Sequence, residues 1–281
     1  MARRTNTNTE TKQAGNPQPE RTESMDRQKL IKRFEDEMAK VARPGADKLM
    51  DYIRKSDFYT APASTKYHLA CEGGLLQHSL NVLDALRGIL APVTKEDGTA
   101  AWEYRIAGKA IATIPDESVT ITALLHDICK TFFYGTSTRN VKNEKTNKWE
   151  KVPYYTVEDR MPLGHGAKSA MIIKQYMELQ SMEMYAIWWH MGFTGDFEND
   201  TCVGAAISKY PLVLALQTAD MMASKIMEAE TENKPLFIPA DPEPQGAAQD
   251  AAAPAAGAPP MNELQEDAVD FQEAPPLQPG A

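Results

Sequence analysis

Residues 118–130 read SVTITALLHDICK. Between Val119 and Leu125 there is no charged side chain, and the run then meets His126, Asp127 and Lys130 in quick succession. A helix that is apolar on every side belongs inside a layer of other helices, so its ionisable end is carried inside with it. There an imidazole beside a carboxylate is costly unless both find partners. The chain must therefore fold so that other segments deliver partners to residues 126–130.

Helical spacing supplies the surrounding layer. DRQKLIKRFEDEMAKVA repeats apolar residues at helical intervals, Pro44 opens a second helix in PGADKLMDYIRKS, and GGLLQHSLNVLDALRGIL reads as a long amphipathic helix. Ser118 is the expected N-cap of the apolar helix. HGAKSAMIIKQYMEL, SMEMYAIWWHM with Ser181 as cap, and PLVLALQTADMMASKIMEAE continue the pattern. One stretch differs. TFFYGTSTRNVKNEKTNKWEKVPYYTVED is aromatic and β-branched at its ends and rich in Asn and Lys in its middle, which predicts a β-hairpin inserted at about 131–160. The expected fold class is all-α with that hairpin.

Charge separates a body from its flanks. The net charge is −9, but residues 240–281 carry eight acidic residues and no Lys or Arg, while residues 26–239 hold 26 basic against 28 acidic residues. The expected body is nearly neutral, so it lacks the general positive charge that marks many nucleic-acid binders, although a local basic groove stays compatible with it. Residues 1–25 are polar and residues 240–281 are rich in Pro, Ala and Gln; both are expected to be disordered. Within the second, residues 261–274 (MNELQEDAVDFQEA) mix acidic and apolar residues and are a candidate protein-docking segment, weighed against a solvated tail. Cys71, Cys129 and Cys202 form no CxxC pair, which fits reduced thiols. The N-terminus has no apolar h-region, and no run approaches the roughly 20 apolar residues of a membrane span. A soluble, cytoplasmic protein without a membrane partner is expected.

The histidines narrow the chemistry. There are five, His68, His78, His126, His165 and His190, and all fall within the helical region. Any one alone would be an ordinary hydrogen-bonded core residue. His78, His126, His165 and His190 stand together with Asp127 and Asp220 at helix interiors or ends, and such a set suits a divalent transition metal gathered from several helices. His126 and Asp127 diverge by about 100° around a helix, yet a long imidazole and a short carboxylate can meet on one ion. A carboxylate can also bridge two ions, and a pair about 3.5–4 Å apart suits phosphoester hydrolysis. Lys130, one turn beyond His126, is a candidate phosphate contact, against the reading of a solvated lysine at a helix end. Lys168, one turn after His165, is a second candidate.

The ordered series GGLLQHS, LLHDICK, GHGAKSA, WWHMG and TADMM resembles the HD superfamily of metal-dependent phosphohydrolases across roughly residues 60–230. YHLACEGGLLQHSLNVLDAL followed by ALLHDICK is similar to the HD domains of bacterial 3′–5′ exoribonucleases that pair an OB-fold with an HD domain. The resemblance implies a helical HD-domain fold and a pair of divalent ions, drawn from Mn, Fe, Mg, Ni, Co or Zn. His78, His126, Asp127 and Asp220 would hold one ion, and Asp127 would bridge to a second held by His165 and His190. Asp127 and Lys130 would be catalytic, and Lys130, Lys168 and His68 would contact substrate. The implied reaction is cleavage of a phosphoester or phosphoanhydride in a nucleotide or short oligonucleotide by metal-activated water. Three departures stand out. The residues before 60 hold no counterpart of the OB-fold, Cys129 occupies the glycine position of HDIGK, and no GYP follows the HD pair, which leaves the cyclic-dinucleotide branch without support.

Three other readings stay open: a 3′–5′ exoribonuclease on single-stranded RNA, a di-iron oxygenase using the same ligands, and a non-catalytic nucleotide-sensing module. Arg139, Lys142, Lys145 and Lys148 of the expected hairpin would serve as a lid over a triphosphate or as a guide for RNA. LGHGAKSA is not a phosphate-binding P-loop, because no Gly directly precedes its Lys and no buried strand leads into it. Trp188 and Trp189 are expected in the core rather than stacked on a base.

Overall fold

The computed structural model describes residues 20–143, 146–193 and 197–229, with side chains described from Arg27 onward except at 197–199. The expected C-terminal tail, the 261–274 segment and Lys145 lie outside these residues. Residues 20–25, expected in the N-terminal tail, instead open helix α1 (Glu20–Met38). α2 (Ala46–Lys55), α3 (Gly74–Ile89), α4 (Asp116–Leu125), α5 (His165–Lys174), α6 (Ser181–Trp188), α7 (Phe197–Lys209) and α8 (Leu212–Met222) follow. α8 runs directly into a π-helical turn, Ala223–Met227.

Eight α-helices are joined by two small antiparallel sheets among the described residues, so the fold is mainly helical rather than purely so. The expected hairpin is β4 (Tyr134–Lys142) against β5 (Trp149–Val157), in register from Tyr134↔Val157 to Lys142↔Trp149. The second sheet was not expected. It is the meander β1 (Leu90–Thr94), β2 (Ala100–Ile106) and β3 (Lys109–Pro115). Ala107 and Gly108 turn β2 into β3 with φ of 48° and 79°, the left-handed pair that a tight two-residue hairpin demands. Trp102 Nε1 then donates to Asp116 Oδ1 at 2.7 Å and ties the meander to α4.

α4 is the central element. From Ser118 to Leu125 every residue is buried, against α3, α6 and α1. It starts earlier than the Ser118 cap anticipates. Pro115 closes β3 with φ −57°, and Asp116 and Glu117 occupy the first turn, where carboxylates favour the helix dipole. Ser118 therefore lies inside the helix and donates to Glu183 Oε1 at 2.6 Å. α6 is likewise capped by Gln180, in a reciprocal box with Glu183, and not by Ser181. Glu183 is fully buried and accepts both terminal nitrogens of Arg43 at 2.6 Å, while Arg43 Nε reaches Glu117 Oε2 at 2.9 Å. This network fastens the α1–α2 connection to α4 and α6. Leu75, Leu76, Leu80, Leu83 and Leu86 of α3 and Leu212, Val213 and Leu216 of α8 complete the core around them. Among the described residues no single helix is long and apolar enough to cross a membrane.

A candidate metal centre at the end of α4

The helix ends sooner than the apolar run suggests. His126 caps its C-terminus with angles that are still helical, and Asp127 departs with φ −108° and ψ 17°, in the sparsely populated bridge region where many functional residues sit. A single 3-10 turn, Ile128–Lys130, then folds Lys130 back over Asp127. Lys130 Nζ lies 2.7 Å from Asp127 Oδ2 and 2.7 Å from the Ala63 carbonyl. Lys130 is buried rather than solvated at a helix end. Its ammonium is thus committed to two partners.

Three histidines converge on this carboxylate from three elements. His126 Nδ1 bonds the Ala123 carbonyl at 2.9 Å, and His190 Nδ1, just beyond α6, bonds that of Ile187 at 2.7 Å. His78 Nδ1, in the middle of α3, faces Glu228 Oε1 at 3.0 Å. In His126 and His190 the carbonyl can only accept, so Nδ1 carries the hydrogen and Nε2 faces inward; His78 is held between carboxylates at both nitrogens and would offer Nε2 to an ion only on giving up its proton there. The three Nε2 atoms lie 3.4–3.6 Å from Asp127 oxygens: His126 at 3.4 Å, His78 at 3.6 Å and His190 at 3.6 Å. His165 Nε2 joins them at 3.5 Å, and Asp220 Oδ1 sits 3.2 Å from His78 Nε2. The six expected ligands are therefore brought together.

His165 and His190 meet because α5 and α6 approach with no side chain between them. A methyl group on Gly166 would lie 2.1 Å from the Trp188 carbonyl oxygen, so the residue after His165 has to be glycine. Cys129 Sγ lies 3.1 Å from His165 Nδ1, which makes the unusual residue of LLHDICK part of the site's wall.

The electrostatics follow from burial opposed by partners. Burial would push the His78 pKa down, but the hydrogen bonds and charges of Asp220 and Glu228 outweigh it and raise it to about 9 in the metal-free protein. Burial opposes ionisation of Asp127, yet Lys130 and the adjoining imidazoles hold its carboxyl well below the usual range. Asp220 is depressed by His78 against the same opposing burial. His190 and His68 go the other way, to about 4, because burial, then the charge of His126 or His78, disfavours their protonation. Burial pushes the Cys129 thiol up to about 12, which makes it a poor thiolate.

Glu228 is the residue of the candidate site that the sequence reading missed. It is 2 % exposed, receives Asn81 Nδ2 at 2.9 Å as well as His78, and lies eight residues past Asp220. In an unbroken α-helix that spacing rotates it about 80° from the Asp220 face. The π-turn, with Glu228 N bonded to Ala223 O at 3.0 Å, takes in one residue without its share of winding, so Glu228 stands about where the seventh residue of a regular helix would, roughly 20° from the Asp220 face, and its carboxylate returns to the site.

The expected substrate contacts divide. His68 lines the same cavity, its ring 4.9 Å from that of His78. Lys168 is buried but turned away. Its ammonium pairs with Asp159 Oδ2 at 2.7 Å and stands over the Phe133 ring at 4.8 Å, so it does not line the cavity. Arg139, Lys142 and Lys148 stay exposed on the hairpin.

Donor chemistry is consistent with a metal ion. His126 Nε2, His190 Nε2 and Asp127 Oδ1 are buried with no hydrogen-bond partner, a cost of about 1–3 kcal/mol each that a cation among them would remove. Ligand atoms of His78, His126 and Asp127 lie within 4.8 Å of one another, as do those of His126, His190 and Asp220, and those of Asp127, Cys129 and His165. Together these overlapping groups are a candidate metal centre at the floor of a cavity of 380 Å³. No family model, curated protein or solved structure matches this chain.

Proposed function

We propose that the protein is a metal-dependent phosphohydrolase of the HD type, cleaving a phosphoester or phosphoanhydride of a nucleotide or short oligonucleotide. The observation that carries this reading is the convergence of four inward-facing imidazole nitrogens on Asp127 while its Oδ1 has no hydrogen-bond partner. His78, His126, Asp127 and Asp220 would hold one divalent ion, and His165 and His190 a second, with Asp127 between them. Bound there, the ions would supply an acidified water and neutralise charge on the phosphoryl group.

The remaining work belongs to the chain. Lys130 ties down Asp127 Oδ2, which keeps the carboxylate ionised and leaves Oδ1 to face His165 and His190. The carbonyls of Ala123 and Ile187 fix two imidazoles in the tautomer that offers Nε2, and the Glu228 carboxylate holds the third, His78, at its Nδ1. Because Lys130 is engaged, its part is to hold Asp127 rather than to carry the substrate.

The test is metal content and turnover on one preparation. Protein loaded with Mn²⁺ or Fe²⁺ should retain two ions per chain and release phosphate or a nucleotide from mononucleotides, dinucleotides or short RNA and DNA. Asp127→Asn should abolish both. Absence of bound metal, or oxygen consumption by the iron-loaded protein in place of phosphoester cleavage, would overturn the assignment.

A further inference from the structure

The histidines and aspartates form only one side of the 380 Å³ cavity. The other side includes Met191, Phe193, Gln217, Met221 and Lys225. These residues are not candidate ligands, and three things about them are unusual together. Phe193, Met221 and Met191 are large apolar side chains exposed at 57 %, 56 % and 45 % around one mouth, a concentration that surfaces reserve for contact with something else. Lys225 is exposed and forms no ion pair among the described residues, whereas Lys130 and Lys168 are each bonded to an aspartate. Gln217 lies one turn before Asp220 on α8, and its Oε1 is buried with no partner.

The backbone packs against that amide. Gly192, two residues past His190, has φ 65°, and a methyl group there would lie 1.8 Å from Gln217 Nε2. The chain leaving the metal floor thus packs directly on the carboxamide, in a left-handed conformation that favours glycine, and a side chain there would displace the amide. A buried carbonyl oxygen without a hydrogen-bond partner, beside an apolar mouth and an ammonium with no ion pair among the described residues, suits a ligand with a flat apolar face, a hydrogen-bond donor on its edge and negative charge. The cavity volume lies within the roughly 300–1,000 Å³ common to small-molecule sites.

We infer that this wall is a nucleotide subsite. Phe193, with the two methionines, takes the face of a base; the Gln217 carbonyl accepts from an amino group on the base edge; and Lys225 holds a phosphate over the metal floor. The inference rests on the phosphohydrolase reading and deepens it. It assigns the phosphate contact to Lys225 instead of Lys130 or Lys168, and it predicts a preference for amino-bearing bases such as adenine over uracil.

Full-length, Mn²⁺-loaded protein decides it with two diesters, a dinucleotide and the base-free bis(p-nitrophenyl) phosphate. Phe193→Ala should raise KM on the adenine dinucleotide by about tenfold or more, the usual worth of one stacked base, with kcat little changed. Its loss on the base-free diester should be much smaller. Gln217→Leu should erase the preference for adenine over uracil, and Lys225→Ala should raise KM on both diesters. Equal losses on both substrates for Phe193→Ala, or an unaltered base preference in Gln217→Leu, would overturn the subsite. If the wild type turns over neither diester nor adenosine mono- or triphosphate, the phosphohydrolase reading fails, and calorimetry with adenosine monophosphate still tests the wall. Binding weakened about tenfold by Phe193→Ala supports the subsite; binding that is absent, or unchanged by all three substitutions, refutes it.

Discussion

Removing Glu228 isolates what a carboxylate outside the proposed ligand set does for the candidate metal centre. The carboxylate lies 3.0 and 3.3 Å from His78 Nδ1, is buried, and is steadied by Asn81 at 2.9 Å. A charge-assisted hydrogen bond of this kind contributes about 1.5–3 kcal/mol. At about 1.4 kcal/mol per decade, that corresponds to roughly a 10–100-fold loss of metal affinity in Glu228→Ala, the range seen when outer partners of metal-bound imidazoles are removed. Glu228→Gln keeps an acceptor and the packing but not the charge, so its loss should be smaller, about 3–10-fold. The assay is Mn²⁺ titration calorimetry on the full-length protein at fixed pH, beside the thermal midpoint of the metal-free form. A purely structural role would lower the midpoint and spare the affinity of whatever protein stays folded. The reasoning is refuted if Glu228→Ala binds Mn²⁺ as tightly as wild type, or if the Gln and Ala variants lose affinity equally.

Three further outcomes are expected. Asp127→Asn leaves Lys130 buried without its anion and should destabilise the metal-free protein by about 3–5 kcal/mol in urea unfolding; wild-type stability would contradict a buried ion pair. Glu183→Ala strips the partners of Arg43 and Ser118 and the cap of α6 at once, and should cost about 3–5 kcal/mol by the same measurement. The metal-free protein should be most stable near pH 6.5. Below that value the unfolded chain takes up protons that folded His68 and His190, at about 4, refuse, so stability falls with pH; above it the contribution of His78, raised to about 9, is lost as pH rises. His78→Gln should flatten the alkaline limb of a midpoint-versus-pH series, and an unchanged limb would show that His78 does not carry it.

Much of this was legible because it depends on spacing. The runs around α3, α4, α5 and α8 read as helices, and the set of imidazoles and carboxylates stands inside them or at their ends. What escaped depends on contacts that no local pattern announces. Glu228 belongs to the site only through a π-turn, whose one residue taken in without winding leaves no mark in the composition of ASKIM. Lys168 has the right spacing from His165, but Asp159, in the loop before α5, captures its ammonium. Ser118 and Ser181 look like caps, yet Pro115 and Gln180 end the preceding segments first. The meander did carry turn signals, Asp97-Gly98 and Ala107-Gly108, between strands too short and too weakly alternating to stand out against helical neighbours.

The reach of these contacts along the chain has a consequence for how the protein forms. His78 meets Glu228 across 150 residues, and Arg43 meets Glu183 across 140. Closing loops of that length comes late and slowly, because chain entropy is lost before the distant partner rewards it. A half-assembled bundle, with α3 docked on α4 but α8 still free, would enclose His78 and Lys130 next to Asp127 without Asp220 or Glu228 to balance them. Such a state holds unpaired polar groups that both the open chain and the finished fold satisfy, so it is disfavoured on both sides. Assembly should therefore be all-or-none. During synthesis the site around the LLHD segment can close only after residue 228, the last of its partners, has emerged.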